Sequence, residues 1–304
     1  MIKTKLTQTQ IRELLQNYSL GTYKAHTPMK KGVAQTIYKL ETTKSVYVLK
    51  IYDERTVKQI DAEIQLLRKI KNTLVQKPIK SNTSYRQKIA NKTCVIYTYL
   101  VGAHKQKLTE KQLYELGVCL AEIHNCTQDY FPKGLEKKHK YGKKWVLELC
   151  LDLQNKFADF PQEKVQFVTK LLKKIQTPSL QKGIIHGDLH KENIVFSKNT
   201  LSGILDFDDC NYAELLLDVG SVIGYICTNE TKGLDINLSN SFLKGYELKR
   251  KLSRKEKYVL FDYTLLFMLI HYCYVHYDKQ NWVKKTYIEK RIEHLVNLGK
   301  DGFW

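Results

Sequence analysis

Over the first hundred residues, apolar positions alternate with polar ones or gather in short β-branched runs; beyond that they recur every three to four positions. Leu6-Thr7-Gln8-Thr9-Gln10-Ile11 predicts a helix start, with Thr7 capping, Gln10 reaching back and Leu6 packing on Ile11; the helix ends near residues 18–21. Residues 35–40 and 46–52 are rich in β-branched and aromatic side chains and predict a hairpin across Thr42-Thr43-Lys44-Ser45. Period two puts Val46, Val48 and Lys50 on one face of the second strand, an unusual place for a lysine. Residues 55–71 carry Val57, Ile60, Ile64, Leu67 and Ile70 at helical spacing, and Glu63 borders that face more closely than Asp61. Lys50 and Glu63 are thereby candidates to pair. Residues 78–92 are polar and turn-prone, and residues 93–102 predict a strand running into a loop.

Leu108-Thr109 with Gln112-Leu113 repeats the capping pattern and opens a helix that buries Leu113, Leu116, Leu120 and Ile123. Helices are expected over 143–158 and 161–175, a second hairpin over 194–197 and 203–207, and then helices only. These occupy 214–227, 238–248, 254–277 (capped by Ser253 with Glu256) and 287–298. Strands first and helices after predict an α+β fold of two lobes with a cleft between them. The expected division is a nucleotide-binding lobe over 1–100, a boundary near residues 100–104, and a helical lobe over 101–304 carrying the catalytic and metal loops and the acceptor site.

Composition changes this picture little. Apolar content of 43% and charge of 27% suit a soluble globular chain, and the formal charge of +19 comes from lysines spread from Lys3 to Lys300. Diffuse charge without a binding motif predicts a solvated surface and no specific nucleic-acid partner, with some attraction for anions such as nucleotides. Seven cysteines without a C-x-x-C pair argue against a disulfide framework or a zinc site and fit a reducing, cytoplasmic setting. The first residues hold no apolar signal-peptide core. Residues 258–275 are apolar but contain Asp262, His271 and several tyrosines, which predicts a buried helix and no membrane partner; Tyr272 and His276 are its candidates to reach a cleft.

The chemistry concentrates in Gly183-Ile-Ile-His-Gly-Asp-Leu-His-Lys-Glu-Asn-Ile-Val-Phe196, followed by Gly203-Ile-Leu-Asp-Phe-Asp208. Two carboxylates and an amide at the ends of apolar runs are hard oxygen ligands of the kind Mg²⁺ takes together with phosphates. The spacing H-x-D-x-x-x-x-N, then D-F, is that of phosphoryl-transfer loops. On this reading Asp188 accepts the proton of the acceptor hydroxyl and Asn193 and Asp206 hold Mg²⁺. Lys50, fixed by Glu63, meets the phosphates of ATP. Val48 and the strand end Thr98-Tyr99-Leu100 line the nucleotide site. The phosphate loop, residues 28–37, has only Gly32, with Gln35 and Thr36 as side-chain donors. His186 and His190 are read as loop histidines. Asp208 and Asp209 are read as partners of the metal ligands, as facing the acceptor, or as a solvated pair. No Walker A sequence occurs, which excludes P-loop kinases.

At His186-Gly-Asp-Leu-His-Lys-Glu-Asn193 with Leu205-Asp-Phe207, the chain resembles the aminoglycoside phosphotransferase and choline kinase superfamily. Protein kinases usually carry Arg where Gly187 stands and Gly where Asp208 stands, and both departures point to the small-molecule branch. Leu217-Asp218-Val219 resembles that family's motif with a mainly structural Asp. Within the superfamily the chain is most similar to type II homoserine kinases, at Gly183–His186, Leu201–Phe207, Asp218-Val219 and Phe242-Leu-Lys-Gly-Tyr246. The resemblance implies ATP and Mg²⁺ as cofactors, a kinase-like fold, a small-molecule hydroxyl acceptor with homoserine foremost, and a monomer or dimer. The same branch holds kinases of aminoglycosides, choline and sugars, and spore-coat or scaffold proteins without catalysis. The intact set Lys50, Glu63, Asp188, Asn193 and Asp206 speaks against the last.

Overall fold

The computed structural model describes residues 3–29, 35–71, 74–135, 141–158, 160–229, 233–277 and 285–303. Helix α1 (Gln8–Leu15) opens on the expected Thr7–Gln10 capping box. Strands β1 (Tyr23–Pro28), β2 (Thr36–Thr42) and β3 (Val46–Tyr52), helix α2 (Val57–Lys69), and strands β4 (Gln87–Ile89) and β5 (Lys92–Thr98) follow. The five strands form one antiparallel sheet in the order β1-β2-β3-β5-β4. Ile37 and Val95 flank Lys50 in register.

Both faces of this sheet are covered, so β3 and β5 carry apolar residues on both sides, with Lys50 the buried charged exception. Leu49, Ile51, Cys94 and Ile96 pack with Ile11, Leu14 and Leu15 of α1. Val48, Tyr52, Val95 and Tyr97 share the other core with Ile60, Ile64 and Leu67 of α2. The two edge strands, β1 and β4, escape the sequence pattern. They carry Lys24, His26, Pro28 and Lys88 because an edge needs only one buried face and tolerates charge and proline.

After residue 100 the chain is mainly helical: α3 (Glu110–Thr127), α4 (Lys143–Lys156), α5 (Gln162–Lys174), then short strands β6 (Lys182–Ile185), β7 (Ile194–Ser197), β8 (Thr200–Ile204) and β9 (Asn211–Glu214). Helix α6 (Leu216–Ser221) continues through a π-helical turn over Val222–Ile226 and is followed by α7 (Ile236–Lys249), α8 (Arg254–Tyr277) and α9 (Lys285–Leu298). Helices α3 and α7 meet at bare backbone: a side chain at Gly117 would strike Phe242 O, and one at Gly245 would strike Tyr114 O. Helix α8 is apolar and long enough to cross a membrane, but 83% of its apolar window is buried inside the protein, as the sequence pattern predicts.

Three strand assignments change, the first being a two-residue pair, Thr228–Asn229 with Gly233–Leu234, that interrupts the stretch expected to hold helices only. The hairpin partner of β7 is Thr200–Ile204, not 203–207: the last ladder bond is Leu205 N–H to Asn193 O (2.8 Å), and Asp206 then leaves the strand region with φ +62°. The pair β6–β9, with Ile185 opposite Asn211, joins segments too far apart for any local turn signal.

Candidate active site

Strand β6 delivers its last residue, Ile185, to a sharp turn at His186-Gly187-Asp188. One buried carboxylate holds that turn. Asp218, on α6 and 1% exposed, accepts His186 N–H at 2.6 Å and Gly187 N–H at 3.1 Å. It also accepts His124 Nε2–H at 3.2 Å. Burial alone would raise the Asp218 pKa; the hydrogen bonds and charges of His124 and His186 outweigh it and lower it. An ionised Asp218 only accepts, so His124 Nδ1 must accept from Tyr246 Oη (2.7 Å), which in turn accepts from Arg250 Nη1 (3.3 Å). This directed chain runs from α7 to the turn. Gly187 has φ +79°, and a Cβ there would lie 2.6 Å from Asp209 O and 2.7 Å from Tyr141 Oη. Glycine is therefore required by both conformation and space, which gives the absence of Arg at this position a physical reason.

His186 ties the turn to the second motif. Its Nδ1 accepts Asp188 N–H (3.3 Å), so its Nε2 donates to Leu205 O (2.8 Å), beside Asp206. Asp188 stands beyond the turn with its carboxylate 38% exposed and His190 Nε2 at 3.3 Å. Burial opposes its charge, but the His190 hydrogen bond and the charges of His190, His186 and His271 lower its pKa to about 2. His190 is thus more than a loop histidine: its Nδ1 also accepts Glu192 N–H (3.2 Å) and caps the turn leading to Asn193. Asn193 spends its amide nitrogen on Asp188 O (2.8 Å), which leaves its Oδ1 without a hydrogen bond among the described residues. Asp206 is exposed, with Lys50 Nζ at 3.9 Å from its Oδ1. One amide oxygen and one exposed carboxylate are a donor set suited to Mg²⁺, which takes few protein ligands and completes its shell with phosphates and water. No cluster of three or more His, Cys, Asp or Glu occurs among the described residues, so the site does not resemble a closed transition-metal cage.

Lys50 and Glu63 do pair, at 3.1 Å, in a buried setting (side chains 8% and 4% exposed). Around them stand groups the sequence reading missed. Tyr52 Oη donates to Glu63 Oε2 (3.1 Å) and Tyr97 Oη to Oε1 (3.3 Å). Arg55 Nη1 binds Glu63 Oε2 at 2.9 Å and Asp208 Oδ1 at 3.1 Å, while its Nη2 donates to Asp208 O at 2.6 Å. Asp208 also contacts Lys50 Nζ directly. Asp208 is therefore not a solvated carboxylate. Burial works against the Lys50 ammonium, yet Asp208, Glu63 and Asp206 outweigh it and hold the lysine charged, well above its usual pKa. Tyr52 was discoverable, since it continues the period-two face of Val48 and Lys50; Arg55, in the connection after β3, had no pattern to show it.

The other nucleotide-site expectations fare unevenly. Gly32 lies outside the described residues. Gln35 and Thr36 turn to Asp53: Gln35 Oε1 accepts Asp53 N–H (2.8 Å) and Thr36 Oγ1 donates to Asp53 Oδ2 (2.7 Å). These contacts brace β2 against the end of β3, and the Thr36 hydroxyl proton is spent on Asp53. Thr98 is tied through N–H and Oγ1 to Lys77 (both 2.9 Å), whereas Tyr99 and Leu100 keep their main-chain groups out of backbone pairing among the described residues. Val48 is buried on the face it shares with Lys50.

An aromatic wall stands by Asp188. Tyr141 contacts Trp145 (ring centroids 5.7 Å apart), Trp145 contacts Tyr274 (5.8 Å), and Tyr225 stacks on His271 (4.8 Å, 20° between planes). Burial lowers the His271 pKa to about 4, although the Asp188 charge opposes this. Tyr272 and His276, the residues of α8 picked out from sequence, instead pack into the core against Phe160. The residues facing Asp188 are His271 and Tyr274, three apart on the adjoining face of the same helix.

This geometry has known counterparts. Residues 26–252 match the Phosphotransferase enzyme family. The homoserine kinase of Neisseria meningitidis serogroup B is 26% identical over 259 residues, covering 84% of each chain, and that of Granulibacter bethesdensis is 25% identical over 266 residues, covering 85% of this chain and 82% of its own. An amicoumacin kinase bound to AMP-PNP and Ca²⁺ superposes with a TM-score of 0.69 at 18% identity (98% and 94% covered), and a spectinomycin phosphotransferase bound to ADP with 0.68 at 17% (98% and 100% covered). Sheet and helices together make the kinase-like α+β architecture, and with the family match over most of its length the chain belongs to the phosphotransferase enzyme family and is a small-molecule kinase with an alcohol group as acceptor.

Proposed function

We propose that this kinase transfers the terminal phosphoryl group of ATP, with Mg²⁺, to the hydroxyl of a small amino-acid-like alcohol, homoserine foremost. The observation that carries the reading is the convergence on Lys50 Nζ: Glu63 at 3.1 Å, and Asp206 at 3.9 Å from a loop more than 150 residues away. Lys50, kept charged, meets the non-transferred phosphates. Asn193 Oδ1 and the Asp206 carboxylate would hold Mg²⁺, whose charge offsets that of the phosphate oxygens. Asp188, ionised above about pH 2, orients the acceptor hydroxyl and accepts its proton as the new O–P bond forms. The aromatic wall excludes water and receives the acceptor. Residues 1–100 serve as the nucleotide lobe, with Val48 under the base and Tyr99 and Leu100 at its edge; residues 101–304 carry the acceptor. The names of the curated relatives support homoserine, and the AMP-PNP and ADP complexes of the solved neighbours support an adenine nucleotide.

The test is nucleoside-diphosphate release by the purified chain with ATP or GTP against homoserine, aminopropanol, choline, methylthioribose, simple sugars and kanamycin. Fast turnover with homoserine and ATP is expected. Fast turnover with another acceptor alone moves the assignment to that acceptor, and silence throughout with intact nucleotide binding removes the enzymatic reading of these acceptors. Asp188→Asn should lose about 10²–10⁴-fold in turnover, the usual contribution of a positioned base, while still binding Mg²⁺-ATP. Turnover like that of the wild type in this variant removes Asp188 from its role.

A further inference from the structure

We propose that Arg55 is a positioning residue for phosphoryl transfer, acting through Asp208 and Glu63 rather than on the nucleotide; this rests on the functional reading of Lys50 and Asp206 above. Asp208 Oδ1 lies between two cations, in contact with Lys50 Nζ and 3.1 Å from Arg55 Nη1. The same Arg55 nitrogen reaches Glu63 Oε2 at 2.9 Å, and the second, Nη2, grips the main chain at Asp208 O at 2.6 Å. One planar fork therefore joins the helix bearing Glu63 to the loop bearing Asp206. This is no surface pair, since the side chains of Arg55 and Asp208 are each 17% exposed and Glu63 is 4% exposed.

Two consequences follow. The grip on a carbonyl, rather than on charge alone, sets the path of the main chain two residues after Asp206. Asp206 itself holds φ +62°, and Phe207 between them packs on His186 with ring centroids 4.7 Å apart. Fixing Asp208 thus fixes the direction of the Asp206 carboxylate. Charge is the second consequence. Lys50 faces three carboxylates, Glu63, Asp206 and Asp208. When Lys50 turns to phosphates, Asp208 needs another cation, and Arg55 is already bound to it. Arg55 retains the loop while Lys50 is released to the nucleotide.

The experiment compares the wild type with Arg55→Met, Arg55→Lys, Asp208→Asn, Arg55→Met/Asp208→Asn and Asp206→Asn. Each is followed by steady-state kinetics against Mg²⁺, ATP and acceptor, by calorimetric Mg²⁺-ATP binding, and by thermal unfolding. Arg55→Met should raise the half-saturating Mg²⁺ and the KM for ATP by about tenfold, the loss of one charge-assisted contact, with the acceptor KM within about twofold. Arg55→Lys should recover only part, because one ammonium cannot hold two carboxylates and a carbonyl together. The double variant should be no worse than Arg55→Met, since both changes cut one clamp. Should Arg55→Met unfold at assay temperature, Arg55→Lys and Asp208→Asn carry the test, both shifting the Mg²⁺ and ATP dependence in the same direction. Unchanged Mg²⁺ and ATP dependence, a shift confined to the acceptor KM, or multiplying effects in the double variant overturn the proposal. If Asp206→Asn loses Mg²⁺-ATP binding while the Arg55 variants keep it, the Arg55 assignment alone falls. If the wild type binds no Mg²⁺-ATP, the functional reading falls and this inference with it.

Discussion

Replacing Asp218 by Asn asks how much of the catalytic turn depends on one carboxylate. The change keeps size and shape but exchanges one acceptor oxygen for an NH₂ donor. Asp218 receives three donors, His186 N–H, Gly187 N–H and His124 Nε2–H. The first and third bind Oδ2 and the second binds Oδ1, so the least costly orientation of Asn places its NH₂ against Gly187 N–H. One part-buried backbone donor then loses its partner, at about 1–3 kcal/mol. The other two bonds fall from charge-assisted to neutral, at about 1 kcal/mol each. The sum is about 3–5 kcal/mol, or roughly 5–8 °C in melting temperature for a chain of this size. The turn carries Asp188, and a displacement of about 1 Å costs on the order of 10²-fold in turnover. Nucleotide affinity should fall less than turnover, because Lys50, Glu63 and Arg55 do not touch this network. Thermal unfolding and steady-state kinetics on the same preparation give both numbers. A variant melting within about 2 °C of the wild type with turnover within about twofold would refute the argument that Asp218 holds the turn.

Lys50→Ala should raise the KM for ATP by about tenfold or more, the equivalent of one charge-assisted hydrogen bond, and an unchanged ATP response would sink the role given to the Lys50–Glu63 pair. Stability should rise with pH between about 4 and 6.5 through His271. Its folded pKa is lowered to about 4, so in that window the unfolded chain binds a proton that the native state does not, a slope of at most about 1.4 kcal/mol per pH unit. His190 acts with the opposite sign at higher pH. Its folded pKa is raised, so its stabilisation is complete below its unfolded value and is lost as pH rises through the folded one. His271→Phe should flatten the lower window, and an equal slope in that variant would exclude His271 as its source.

Three of the helices were legible at their starts because each closes a local rule. Thr7 with Gln10, Thr109 with Gln112, and Ser253 with Glu256 all form reciprocal caps, within three residues and without help from the rest of the chain. Lys50 stood out because a lysine on a valine face contradicts the strand pattern around it, and such contradictions mark function. The edge strands were missed because polarity at an edge resembles polarity in a turn, and β6–β9 because its pairing depends on residues brought together late. Within the site, the two loops that meet, His186–Asn193 and Leu205–Asp208, were readable as one unit from their spacing. Their neighbours were not. Arg55 occupies a connection without periodicity, and which face of α8 looks at Asp188 is set by its packing on α4 and Phe160.

By itself the sequence determined the class of chemistry, since a kinase-spaced Asp, Asn and Asp after an apolar strand admits few readings. Only the tertiary structure decided what those groups meet: Asp218 under the turn, Arg55 and Lys50 sharing Asp208, and an aromatic wall in place of the residues that the helix pattern suggested. The physical reason is range. Capping, strand alternation and turn conformation act over a few bonds and are written locally, whereas charge neutralisation and packing act across space. They join residues 55 and 208, or 124 and 218, whose separation along the chain carries no signal.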